Sequence, residues 1–181
     1  MSVPQATMNL LRHLASRPGH DEVKADFRQL LVEEFGVELG ALDFERRVPE
    51  VHGRLDALIG RTVFEAKSDL DGEWQDVERR MPDYLADRER EEREHFVGIA
   101  SDGQKWAVFE LEAGKLIVVK RTVLDPEQPD KFLPWLDGAL ALKSLAGNDP
   151  EYRRGGRERP AWSGATPKAL QSWWRLARRE R

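Results

Sequence analysis

Cysteine is absent from the 181 residues of this chain, which excludes disulfide staples and cysteine-bound zinc. No apolar run approaches the roughly 20 residues that a membrane helix needs, so no membrane partner is expected. The opening MSVPQATMNLLRHLASRPGH has no cationic head leading into an apolar core; no secretory signal is read there, and a cytoplasmic location is expected. Histidine is scarce, and His13, His20, His52 and His95 form neither an HxxxH nor an HExxH pair, so a histidine zinc site is not expected. GxGxxG, P-loop and GxSxG spacings are missing, as are internal repeats.

Charge is what the chain has in quantity. Residues 151–181 hold nine basic and three acidic side chains, a net +6. With the whole chain at -4, residues 1–150 stand at -10. This asymmetry predicts an acidic domain over 1–146 and a basic linker and C-terminal helix over 147–181. The stretch 147–166 is rich in Gly, Pro and Arg, and Pro167 suits the first turn of a closing helix. Trp162, Trp173 and Trp174 among the tail arginines could stack on bases or simply dock that helix.

The hydrophobic period then orders the elements. Leu10, Leu11 and Leu14 predict a short helix ending before Pro18-Gly19. Val23, Phe27, Leu30, Leu31 and Phe35 predict a second, capped by Asp21 and stopped at Gly36. A strand follows around Leu42–Arg47. Arg54–Ile59 and Thr62–Lys67 predict a hairpin about Gly60-Arg61. Residues 73–93 read as a charged helix with a buried stripe at Trp74, Val77, Met81, Tyr84 and Leu85, kinked or broken at Pro82. Its run from Asp87 to Glu94 reads as a solvated face. Strands are expected at 96–100, 106–111 and 116–119, and a last helix between Phe132 and Leu145 that begins late because of Pro134. The expected fold is therefore mixed α/β, a sheet covered by helices, without Rossmann alternation.

The hairpin carries the chemistry. Asp56 interrupts an apolar strand, and Glu65 and Lys67, two residues apart, project to one face of the next strand while Ala66 turns away. In a tight hairpin Asp56 stands level with Glu65 or Lys67. Grouping these charges on a sheet is costly unless they bind something, and two converging carboxylates suit a hard cation such as Mg²⁺ or Mn²⁺.

The arrangement of Asp56, eight residues, then Glu65-Ala-Lys67 resembles the signature of the PD-(D/E)XK nuclease superfamily. The run Gly53–Asp69, together with Arg80-Met-Pro-Asp-Tyr-Leu85 and Val97–Gly103, is similar to the amino-terminal endonuclease domain of restriction enzyme/N6-adenine methyltransferase fusions. The likeness covers roughly residues 21–119. It implies a restriction-endonuclease-like mixed sheet flanked by helices and Mg²⁺-dependent cleavage of DNA that leaves a 5′-phosphate, with Mn²⁺ able to substitute. Asp56 and Glu65 would be the metal ligands, helped by the Ala66 carbonyl, and Lys67 would orient and activate the attacking water. Many relatives add a Glu from the first core helix; Glu22 is the candidate, with Glu33 and Glu34 as rivals. Gln75 and Tyr84 echo a Gln and a Tyr that some relatives carry on the next helix.

The resemblance also implies partners beyond DNA: a methyltransferase and target-recognition domain or subunit, and a dimer during double-strand cutting. The chain itself has no NPPY or DPPY tetrapeptide. A non-catalytic nucleic-acid or protein interaction module on the same scaffold is the rival reading. A second Glu-x-Lys, Glu22-Val-Lys24, falls on a helix rather than a strand.

Overall fold

Two amphipathic helices open the structure, a computed structural model that describes residues 3–37, 42–44, 47–48, 53–54 and 56–140. All of these fall in the unit Met1–Leu142. The domain boundary expected at 146, the basic extension with its tryptophans, and His52 lie outside the described residues.

Helix α1 (Gln5–Ala15) buries Leu10, Leu11 and Leu14 on one side. Helix α2 (His20–Phe35) buries Val23, Phe27, Leu30 and Leu31, the stripe its period predicts. Its cap is Gly19 rather than Asp21; Asp21 falls in the first turn, where a carboxylate complements the positive end of the helix. Gly36, in the left-handed conformation at φ 63°, closes it as expected.

The region expected as one strand around Leu42–Arg47 contains β1 (Leu42–Phe44) and β2 (Arg47–Val48), which belong to different sheets. β2 pairs with β3 (Gly53–Arg54). The main sheet continues with β4 (Ala57–Ile59), β5 (Thr62–Ala66), β6 (Val97–Ser101), β7 (Lys105–Glu112) and β8 (Lys115–Val123). Its six strands run in the order β1-β4-β5-β6-β7-β8. Every pairing is antiparallel except β5 with β6, which the intervening helix α3 (Trp74–Glu92) makes parallel. The hairpin turns at Gly60-Arg61, with Ile59 facing Thr62.

Helix α3 runs unbroken through Pro82, so the expected break does not occur: the burial of Val77, Met81, Tyr84 and Leu85 against the sheet outweighs one missing N–H. Helix α4 (Pro129–Ala139) begins earlier than expected, because Pro129 occupies a first-turn position where no N–H is needed. The charged run after Leu85 is not wholly solvated. Asp87 and Arg88 are buried; Asp87 accepts from Arg88 at 2.7 Å and pairs with Arg90, which offsets part of the cost, while Arg88 Nε and Nη1 are buried without a hydrogen-bond partner among the described residues.

Alternation along the strands sends successive side chains to two separate cores. Ala57, Ile59, Phe64, Ala66, Ile99, Trp106 and Val108 face α1, α2 and α4. Leu58, Val63, Ala100, Ala107 and Phe109 face α3. The α3 layer sits close to the sheet at Gly98, where a Cβ would lie 2.6 Å from the Met81 sulfur. The fold is mixed α/β, a mixed sheet flanked by helices, as expected.

Candidate active site at the β4–β5 hairpin

Because Ala57 faces Phe64, continuing the register sets Asp56 opposite Glu65. Asp56 lies just before β4, and its Oδ2 accepts a hydrogen bond from the Ala66 N–H at 2.8 Å. Lys67 lies just past the end of β5, on the parallel side of the sheet, where its N–H donates to the Ser101 carbonyl at 2.8 Å. Glu65 and Lys67 meet as their spacing predicts: Lys67 Nζ donates to Glu65 Oε1 at 2.9 Å, and both side chains are buried.

The environment makes Glu65 the unusual group. Burial pushes its carboxyl upward, the neighbouring charge of Asp56 adds to this, and the Lys67 ammonium only partly offsets it. Its Oε2 is buried without a hydrogen-bond partner. A bare oxygen of a buried carboxylate costs free energy unless a cation or donor reaches it.

Helix α3 supplies residues that the hairpin alone does not reveal. Asp76 Oδ2 accepts from Lys67 Nζ at 2.7 Å, and its Oδ1 lies 3.2 Å from Arg80 Nε. Arg80 Nη1 stands 3.9 Å from Glu65 Oε1. Burial works against the Lys67 ammonium, but the hydrogen bond to Asp76 and the charge of Glu65 outweigh it, so its pKa is raised. Burial would raise Asp76, yet hydrogen bonds from Lys67 and Arg79 hold its pKa down. Tyr84 is buried beside this group, its phenol pushed up by desolvation and by the charge of Glu65.

On the other side, α2 reaches Asp56 through two cationic or polar side chains. His20 Nε2 lies 3.2 Å from Asp56 Oδ2, and Lys24 Nζ lies 3.7 Å from Oδ1. Glu22 is exposed, with its carboxylate folded back beside Gly19, so the structure does not bring it to the pair. Positions two apart on a helix diverge by about 200°, so a helix that turns Lys24 to Asp56 turns Glu22 away. Glu33 is exposed and accepts from Gln29; Glu34 pairs with Thr7. Gln75 is exposed.

Glu65 and Lys67 are thus paired, with Asp76 and Arg80 beside them, while Asp56, whose charge acts on Glu65, is held by the Ala66 N–H, His20 and Lys24. Among the described residues no three His, Asp or Glu side chains converge as a metal centre. The arrangement offers two adjacent carboxylates, one with an unpartnered oxygen, and a fixed ammonium donor beside them. Neither protein-family models nor curated proteins give a match for this chain.

Proposed function

We propose that this chain is a metal-dependent DNA endonuclease domain of restriction type, hydrolysing phosphodiester bonds, as its resemblance to PD-(D/E)XK nucleases implies. The observation that supports it is the buried, unpartnered Oε2 of Glu65 beside a second carboxylate and a lysine. That hard oxygen donor set fits Mg²⁺ or Mn²⁺, with Asp56 and Glu65 as the holding residues. Such an ion supplies Lewis acidity and neutralises charge developing in the transition state.

The side chains of the protein account for the rest. The hydrogen bond to Asp76 and the charge of Glu65 favour the ammonium form of Lys67, which suits it to donate a hydrogen bond to the attacking water and orient it. Asp56, tied to the Ala66 N–H, is held at a fixed height beside Glu65. Arg80, partly exposed, and Lys24 stand at the rim, where they would meet the flanking phosphates of the DNA backbone. A methyltransferase or target-recognition partner and a dimer during double-strand cutting belong to the same proposal.

The rival module reading draws on one observation: Asp56 already engages the Ala66 N–H, His20 and Lys24. Nicking of supercoiled plasmid separates the two. The wild type should nick with Mg²⁺ or Mn²⁺, and Lys67→Ala should be slower by about 100-fold or more. Equal cleavage by both proteins rejects the role of Lys67. DNA binding by a wild type that never cuts selects the module.

A further inference from the structure

The contacts of Asp76 form a pattern that ordinary helix-surface pairing does not explain. It lies in the first turn of α3, with Arg79 and Arg80 three and four residues on, the usual spacing for helical ion pairs. Yet its second oxygen is spent on Lys67, which comes from the end of β5 and is only 6% exposed. Lys67 and Arg80, both anchored on Asp76, also share one target: Oε1 of Glu65, at 2.9 Å and 3.9 Å. Oε2 receives neither. Apart from Asp76 and Glu65, Lys67 reaches a carboxylate only at Glu73, 4.0 Å away, among the described residues.

We propose that Asp76 is a positioning residue that steers Lys67 and Arg80 onto one oxygen of Glu65 and so keeps the other open for the divalent ion. The catalytic consequence rests on the nuclease reading above; the grip on Lys67 does not. Without Asp76 the ammonium is free to straddle both carboxylate oxygens, closing the gap that the cation needs and losing its fixed aim at the water. Asp76 touches no reacting atom in this scheme. It acts through Lys67.

The test compares Asp76→Ala and Asp76→Glu in the full chain, with Asp83→Ala, an exposed acid on the same helix, as a control for charge loss. The first readout is acylation of Lys67 by acetic anhydride, followed by peptide mass spectrometry. With its 2.7 Å tie to Asp76 cut, the buried Lys67 side chain is no longer held and its labelling should rise roughly tenfold in Asp76→Ala, while Asp76→Glu restores protection. The second readout is plasmid cleavage with Mn²⁺. Asp76→Ala should lower kcat by about 10- to 100-fold while KM for DNA barely moves, and Asp76→Glu should recover most of the loss. Unchanged Lys67 labelling in Asp76→Ala overturns the proposal, as does an equal rise in Asp83→Ala. A wild type that does not cut sinks the nuclease reading, while the labelling still decides whether Asp76 holds Lys67.

Discussion

The two faces of the sheet are built on different physics. Towards α1, α2 and α4 the core contacts are largely aromatic: Phe27 stacks on Phe64 with centroids 4.1 Å apart, and Trp106 packs edge-on against Phe132 at 5.2 Å. Towards α3 the apolar core of Val63, Val77, Met81 and Phe109 is bordered by Glu65, Lys67, Asp76, Arg80 and Tyr84. A single strand serves both, since Phe64 and Ala66 face the first layer while Val63 and Glu65 turn to the second. One side holds the strand rigid so that the other can carry unfavourable charge.

The contrast can be broken on its stable side. Phe64→Ala removes the centre of the aromatic layer and should cost about 3–5 kcal/mol in denaturant unfolding, the largest effect expected here. A loss below about 1 kcal/mol would mean that this layer does not anchor β5.

On the charged side, Glu65→Gln should act in the opposite sense. The Glu65 carboxyl has a pKa raised above its ordinary value of 4.5, chiefly by burial. The folded state then binds more protons than the unfolded one above that value, so this residue makes stability fall as pH rises. Thermal unfolding should show the wild type losing stability from pH 4.5 upward into the raised range, and Glu65→Gln losing less. A wild-type melting temperature that climbs in parallel with the variant across this window would contradict the burial argument. Cleavage by Glu65→Gln should be lost even where the fold is firmer, which sharpens the division between the two faces.

The smallest effect belongs to the margin where α3 hands over to β6. His95 lies 3.3 Å from Glu110 and 2.8 Å from Glu89. Its pKa is raised, first by the hydrogen bond to Glu110, against some desolvation. Its contribution is therefore complete below the ordinary 6.5 and disappears as pH climbs through the raised value. With the ring half-exposed, His95→Gln should cost about 0.5 kcal/mol at pH 6 after solvent screening, and nothing at pH 9. An equal cost at both pH values would point to packing rather than charge.

The sequence made the strand side of this site readable. A period of two assigns Phe64, Glu65, Ala66 and Lys67 to alternating faces without further information, and the Gly60-Arg61 turn brings Asp56 level with Glu65 or Lys67, a choice that the register settles for Glu65. The helix side was not readable, for a physical reason. Asp76, Arg79 and Arg80 sit in a helix charged at most of its exposed positions, and their spacing looks the same whether they face water or a strand end. Only the packing of α3 on the sheet selects Asp76. His20 and Lys24 escaped likewise: four apart, they share a helix face, but nothing local says that Asp56 lies under it. Proline misled at the start of α4, which first-turn placement of Pro129 decided, and of the two outcomes expected at Pro82 the break does not occur, because tertiary burial holds α3 together.

The closeness of α3 to β6 has a further consequence. Where Met81 rests on the bare backbone of Gly98, the missing side chain acts as a shim of zero thickness beneath the helix. Asp76 rides on that same helix, whereas Lys67 belongs to the sheet, so the gap at Gly98 sets the span of the bond between them. Adding one methyl group there would press on the Met81 thioether first, and the part of that clash which the flexible side chain does not absorb would pass to the helix and to the Lys67–Asp76 bond.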